Sequence, residues 1–524
     1  MNTLHKEGNM KKLSRRDFIK KAGLTAAAAT AVSLVPKGVK NVLAKGGKEE
    51  EKEMGAPAVV MSEQDKWRQF EGETVRILTE NTPPSVGIMG AAESFTKLTG
   101  MKAEFTMDFM DPLKEKMFLD LRGGNPNYHI NYAQPRPIGC IVFEYWQPIN
   151  KFIDIKTGES KYPDLPSVPE CPNGLKEAFL DLHMDAGGFF FEKENLYGLP
   201  YDSACGIMFY RKDIFDKYGK KFEDQYGKPM RLGADVSWDD VYDISMFLKK
   251  NMKGEADYPF AFHYAQNWPI VNEFTTLCTS WGVKKDGFEG IEDIFLGSRT
   301  PGPIFSNPKD YDIAVTVLDW MKMVYQDILH PDCNTWDWGG LGTAMAAGNV
   351  AIMRQAGEFC PFVEDAEQSN IAGKVGYAVV PYGPAGINSY EIGPSALAIP
   401  KALPEREQRK AWLFMLWATG PEAQWEAFTK FYGTPVRKTA FEESRKRGWM
   451  DPESDFRKAQ HLLPQEIEVR DHVDGFGIGP KVDFYSEYLD IVGGEVSKFV
   501  TGKTPKPKTA MDNIVARVNR ITKT

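Results

Sequence analysis

Residues 197–215 read Y-G-L-P-Y-D-S-A-C-G-I-M-F-Y-R-K-D-I-F. Gly198 and Pro200 punctuate the first half, because proline holds φ fixed and lacks an N–H. Ile207–Tyr210 is a short apolar and aromatic run suited to a buried strand. Arg211-Lys212-Asp213 then opens a surface helix. Tyr201 and Asp202 stand where the chain enters the strand. A hydroxyl and a carboxylate there suit hydrogen bonds to a polar ligand in a cleft. Equally, Asp202 serves as a turn cap; these residues alone leave both readings open.

On the N-terminal side, strands and helices alternate. Thr74–Thr79 alternates apolar and polar residues as a strand does, and Glu80-Asn81-Thr82-Pro83-Pro84 breaks it. Glu93–Leu98 is helical and ends at Gly100. Phe105, Met107 and Phe109 mark a second strand. Leu113, Met117 and Leu121 mark a helix face that Gly123-Gly124 stops, and His129–Tyr132 is a third strand. This order predicts an α/β fold with a mainly parallel sheet, whose ligands bind beyond the carboxyl ends of the strands. Lys151–Glu194 is rich in turn residues and decorates the rim.

Beyond the opening stretch, Ser237 with Asp240 three residues on predicts a capped helix burying Val241, Ile244 and Leu248. Trp268 and Trp281 bracket an apolar segment. Ile313, Val317, Met321, Val324 and Ile328 line a longer helix, followed by an expected loop at Asn334–Gly340. Lys374–Pro381 reads as a strand. A helix carrying Trp412 and Leu416 ends near Gly420-Pro421. Tyr485, Leu489, Val492, Val496 and Phe499 recur at four-three-four-three spacing on a final helix face.

The chain has 524 residues, 42% hydrophobic and 26% charged, ordinary values for a soluble protein with more than one core. No apolar run is long enough for a transmembrane helix. Ser14–Lys20, S-R-R-D-F-I-K, resembles a twin-arginine export signal. The apolar stretch Ala22–Val35 and the small-residue site Val42-Leu43-Ala44 follow it. Residues 1–44 are therefore expected to be removed, and the charged segment 45–66 to form a flexible leader, with order beginning near Trp67. The removed part holds nine Lys/Arg and two Asp/Glu. The 64 basic and 72 acidic residues then fall to 55 and 70, a net charge of −15. That balance opposes nucleic-acid binding.

Six cysteines, Cys140, Cys171, Cys205, Cys278, Cys333 and Cys360, show no C-x-x-C pair, and sequence cannot assign disulfides among them. The scattered histidines offer no metal motif, so neither a metal nor a cofactor is expected. Two strings mimic nucleotide sites. Ser497–Thr504 ends in G-K-T but lacks the first glycine and is followed by Pro505. Gly475–Gly479 lacks the dinucleotide spacing and a preceding strand.

The opening stretch, the passage K-L-T-G-M-K-A-E-F at Lys97–Phe105, M-A-A-G-N-V-A-I-M at Met345–Met353, G-P-S-A-L-A-I-P-K at Gly393–Lys401 and T-P-V-R at Thr434–Arg437 occur in one order. Together they resemble the bacterial extracellular solute-binding proteins of sugar importers, the branch that includes maltose-binding protein. The likeness spans about residues 74–518. It implies a periplasmic-binding-protein-like α/β fold with two lobes, a cleft between them and hinge crossovers. Residues 67–199 plus 394–440 would form the first lobe, and 200–393 plus 441–524 the second. Where many relatives carry a cleft tryptophan after Gly-Pro, this chain departs, with Glu358 and Phe359.

The resemblance also implies an exported, periplasmic or extracytoplasmic binding protein, acting as a monomer. It would deliver a sugar, expected to be an oligosaccharide, to an ABC permease and its ATPase subunits. Sugar rings lie on aromatic faces while polar neighbours take the hydroxyls. Expected ligand contacts are Glu80, Gln134, Arg136, Tyr201, Asp202, Trp268, Trp336, Trp338, Glu358, Ser395 and Arg437. Each lies beyond a predicted strand, in a loop, or in a segment matching the family. No catalytic residue is expected. Two alternatives stay open: an exported carbohydrate-active enzyme using Asp202 and Glu358 as paired carboxylates, and a binder of a non-sugar solute such as a peptide or polyamine.

Overall fold

A computed structural model of the chain describes residues 62–161, 175–283, 304–472, 475 and 480–522. The export signal, the leader up to residue 61, Cys171, the middle of the turn-rich rim and most of the 475–479 glycine string lie outside the described residues. Trp67 lies in the first described helix. Ser62 caps the helix Glu63–Arg68, its side chain accepting from Asp65 N.

The strands are β1 (Thr74–Glu80), β2 (Lys102–Asp108), β3 (Ile130–Tyr132), β4 (Gly198–Pro200), β5 (Gly206–Arg211), β6 (Tyr258–Ala261), β7 (Val350–Ala356), β8 (Val375–Ala378) and β9 (Ala396–Ala398). They form two sheets, ordered β2-β1-β3-β9-β4 and β6-β7-β5-β8. The stretch 197–215 therefore leaves one sheet at β4 and enters the other at β5. The chain returns between β8 and β9. As the strand–helix alternation predicts, most strands of the first sheet share one direction, and in each sheet one strand runs against the rest. In the first, β2, β1 and β3 run parallel, but β9 opposes both β3 and β4. In the second, β6 and β7 are parallel, while β5 opposes β7 and β8. Strands that arrive from the other sheet enter from the opposite end, and local sequence does not encode that direction.

Helix starts differ from expectation in two places, for the same reason. Pro83-Pro84 opens the helix Pro83–Thr99 instead of merely breaking β1. Proline fits a first turn, where its missing N–H has no intrahelical partner to lose. The helix closes at Gly100, whose φ of 72° suits glycine. Likewise, Asn334–Gly340 is not a plain loop. Asp337 accepts from Gly340 N and caps the helix Trp338–Ala346. The Ser237–Asp240 pair forms a full capping box on Trp238–Asn251, with Val241, Ile244 and Leu248 buried.

Each sheet carries its own apolar core. Around the first pack Ile77, Phe95, Leu113, Met117 and Trp412. Around the second pack Phe209, Ile244, Met321 and the predicted face Tyr485, Leu489, Val492, Val496 and Phe499. The last five lie on the helix Tyr485–Val500. Ser497 belongs to that helix, and the next begins at Pro507. The G-K-T string thus follows a helix, with no strand entering it. Among the described residues, no helix is long and apolar enough to cross a membrane.

Candidate functional site: a cleft at the strand ends

Strand ends from both sheets converge on one cleft. Glu80 ends β1, Tyr132 ends β3, and Ser395 directly precedes β9. From the other sheet come Ala356, ending β7, and Glu358 just after it. Trp268 and Trp338 each begin a helix facing the same space. The cleft is partly open to solvent and has a cavity volume of about 50 Å³.

Six of the expected contacts, Glu80, Gln134, Trp268, Trp338, Glu358 and Ser395, line this cleft. Gln134 does so as a strut. Its Nε2 donates to Gly393 O at 3.2 Å and its Oε1 accepts from Arg136 N at 3.3 Å. Asp202 lies fully buried behind the lining. Its Oδ1 accepts from Ser395 N at 2.7 Å and Ala204 N at 3.3 Å, which ties the outgoing link between the sheets to the returning one. Tyr201 anchors the first half: its hydroxyl meets Ser85 Oγ at 2.7 Å and Thr79 Oγ1 at 3.3 Å.

Three expected contacts sit elsewhere. Arg136 is buried in the turn Pro135–Gly139, and desolvation pulls its guanidinium down to about 10. Arg437 is buried as well. Its Nε donates to Thr419 O, and its guanidinium lies 4.8 Å from the Phe179 ring centre. Trp336 packs on His330, ring centres 4.5 Å apart. Trp336 closes the short turn Pro331–Thr335, whereas Trp338 opens the helix Trp338–Ala346. Only Trp338 reaches the cleft.

Trp338 is held from three directions. Its ring stacks on His263 at 5.0 Å and 30°. Its indole Nε1 donates to Glu391 Oε1 at 3.4 Å, and its carbonyl accepts from Gln355 Nε2 at 2.8 Å. Trp268 meets it at 4.4 Å and 41°. Behind this pair, Arg354 Nη1 donates to Glu273 Oε2 at 2.6 Å, and Arg354 Nη2 lies 3.5 Å from Glu391 Oε2. His263 Nδ1 is 2.7 Å from Glu273 Oε1.

Sequence reading missed Tyr132, Asn272 and Glu391 among the lining residues. Asn272 sits one turn after Trp268 on the same helix, and that i,i+4 spacing could have found it. It is 2% exposed, and neither amide atom has a partner. Glu391 lies in the returning link, which the resemblance marked without singling out that residue.

The electrostatics are acidic. Burial raises Glu80 to about 7; a hydrogen bond from Tyr132 resists this, and the charges of Asp337, Asp202 and Asp111 add to it. Burial, then the charges of Asp202 and Glu80, push Glu358 well above the carboxylate range. Among the described residues, no group of three or more His, Cys, Asp or Glu is placed to hold a metal ion.

A pH prediction follows for Glu80. Its folded pKa lies above the ordinary 4.5, so the folded chain keeps a proton that the unfolded chain releases. Stability from this group is present below pH 4.5 and is lost as pH rises through about 7. Glu80→Gln removes that loss. The variant should exceed the parent by roughly 1–2 kcal/mol at pH 8 and match it at pH 4. Urea unfolding at the two pH values checks this; an equal difference at both would overturn the assignment.

The family model described as bacterial extracellular solute-binding protein matches residues 90–454. The chain belongs to this family. Over 456 residues, 84% of each chain, it is 21% identical to an erythritol/L-threitol-binding protein of Mycolicibacterium smegmatis. Its fold resembles a ribitol-bound ABC-transporter solute-binding protein of Agrobacterium radiobacter. That match has 17% identity and TM-score 0.65, covering 86% of this chain and 99% of the other. Maltose-bound MalE3 of T. maritima is similar at 17% identity and TM-score 0.66, covering 86% and 100%. In this solute-binding protein the expected periplasmic-binding-protein-like α/β fold is present, with one strand of each sheet reversed.

Proposed function

We propose that this solute-binding protein captures a carbohydrate or polyol outside the cytoplasm and presents it to an ABC permease driven by separate ATPase subunits. One observation carries the reading. The Trp268–Trp338 ring pair faces hydrogen-bonding side chains from both sheets across a single cleft. Apolar sugar faces suit the rings, and hydroxyls suit Glu80, Ser395 and Asn272. The names of the similar proteins, which include erythritol, ribitol and maltose binders, agree with this class.

The halves 67–199 plus 394–440 and 200–393 plus 441–524 act as lobes that close by bending at the two links between sheets. Closure is favoured because the ligand touches groups that no single half supplies. The chain binds without turnover. A glycosidase needs both carboxyls beside the sugar, whereas Asp202 is fully buried and its Oδ1 is engaged by Ser395 N and Ala204 N.

Calorimetry with a panel of polyols, monosaccharides and oligosaccharides tests the reading, with product analysis of the same mixtures. Saturable binding with unchanged ligand is expected. No binding at millimolar concentration, or steady product formation, would defeat it.

A further inference from the structure

The cleft has more acceptors than donors. Glu80, Glu358 and Glu391 all line it, and among the described residues no lining residue is Lys, Arg or His. Several lining donors are already engaged. Gln134 Nε2 serves Gly393 O, Trp338 Nε1 serves Glu391, and the Tyr132 hydroxyl lies 3.1 Å from Ser395 Oγ. A neutral hydroxyl brings one proton and two lone pairs, whereas an ammonium brings three protons and no lone pair. The second chemistry matches this lining better.

Charge points the same way. The guanidinium behind the cleft, Arg354, bonds Glu273 at 2.6 Å and stands farther, 3.5 Å, from Glu391. Asp202 adds a fourth carboxyl group directly behind Glu358. Carboxyl groups gathered in a partly desolvated space hold protons because their charges would repel, and a ligand cation among them takes the place of those protons. Independently of the carboxylates, Asn272 is 2% exposed, has no protein partner and faces the same space. A buried amide without a partner calls for a polar group next to it, here a hydroxyl of the same ligand.

We propose that the cleft selects an amine-bearing carbohydrate, an amino sugar or amino polyol, whose ammonium sits among Glu80, Glu358 and Glu391 while its carbon skeleton lies on Trp268 and Trp338. This rests on the carbohydrate reading above and narrows it.

The test uses the full chain and matched pairs in calorimetry at pH 7.5: D-glucosamine with D-glucose, D-galactosamine with D-galactose, and 1-amino-1-deoxy-D-glucitol with D-glucitol. In every pair that binds, the amine should bind at least about tenfold tighter, the factor that 1.4 kcal/mol corresponds to. Glu80→Gln should erase most of that preference while the far-ultraviolet spectrum is unchanged. A neutral member that binds as tightly as its amine, or tighter, overturns the proposal and leaves the carbohydrate reading standing. A folded Glu80→Gln protein that keeps the full preference also overturns it. If no member of any pair binds but neutral oligosaccharides do, the proposal falls alone; if no carbohydrate binds, both fall.

Discussion

Replacing Arg354 with Met is expected to lower the free energy of unfolding by about 3–5 kcal/mol, the cost of breaking a buried ion pair from one side. Arg354 lies on β7 and is 1% exposed, and Glu273 beside it is fully buried. Burial alone would lower the guanidinium's proton affinity, but the Glu273 and Glu391 carboxylates raise it. Without the arginine, Glu273 keeps only the His263 contact at 2.7 Å, and Glu391 loses its nearby cation. Glu273 cannot move to water without opening the core behind the cleft. Methionine fills similar volume, so the loss reports charge and not a void. The double change Arg354→Met with Glu273→Gln should recover a substantial part, because it removes the stranded charge as well. Urea unfolding of the three proteins decides this. A single-variant loss below about 1 kcal/mol, the size of an exposed pair, would mean that the network is not the support inferred for Trp338.

The second large effect falls on affinity. Trp338→Ala should weaken binding of whichever carbohydrate the panel identifies by roughly 30-fold or more, the scale of about 2 kcal/mol seen when a central tryptophan is truncated. The ring faces the cleft and is held by His263 and Glu391, while Gln355 fixes the Trp338 carbonyl, so little entropy is spent in orienting it. Trp336→Ala is the control. That ring packs on His330 and is not among the cleft lining; its loss should change affinity less than about threefold, within the usual size of surface effects. Calorimetry on both variants separates the two neighbours. Equal losses, or no loss for Trp338→Ala, would remove the ring pair from the ligand site.

Much of the fold was legible because its signals are local. The turn residues and apolar run of 197–215 mark a strand entered through a link, and β4 and β5 lie on either side of that link. Helix faces such as Leu113–Met117–Leu121 follow from spacing alone, since side chains four apart share a face. The cap at Ser237 is legible for the same reason: donor and acceptor are three residues apart. Pro83-Pro84 and Asp337 misled because a residue that ends one element can begin the next. Which role it takes depends on whether a helix packs on the other side.

The candidate site divides along the same line. Residue chemistry and order along the chain were enough to name Glu80, Trp268, Trp338, Glu358 and Ser395, since each stands at a strand end or in a loop beside one. Only the tertiary structure separated Trp338 from Trp336, turned Arg136 and Arg437 into buried struts, and brought Glu391 and Asn272 to the lining. Those outcomes turn on which way a side chain points and on partners far away in the chain, such as Arg354 and Glu273, 81 residues apart. The sequence by itself determined the kinds of groups available and the elements that carry them. Packing of the two sheets decided which groups meet, because a side chain's surroundings in a cleft are made mostly by residues that are not its neighbours in sequence.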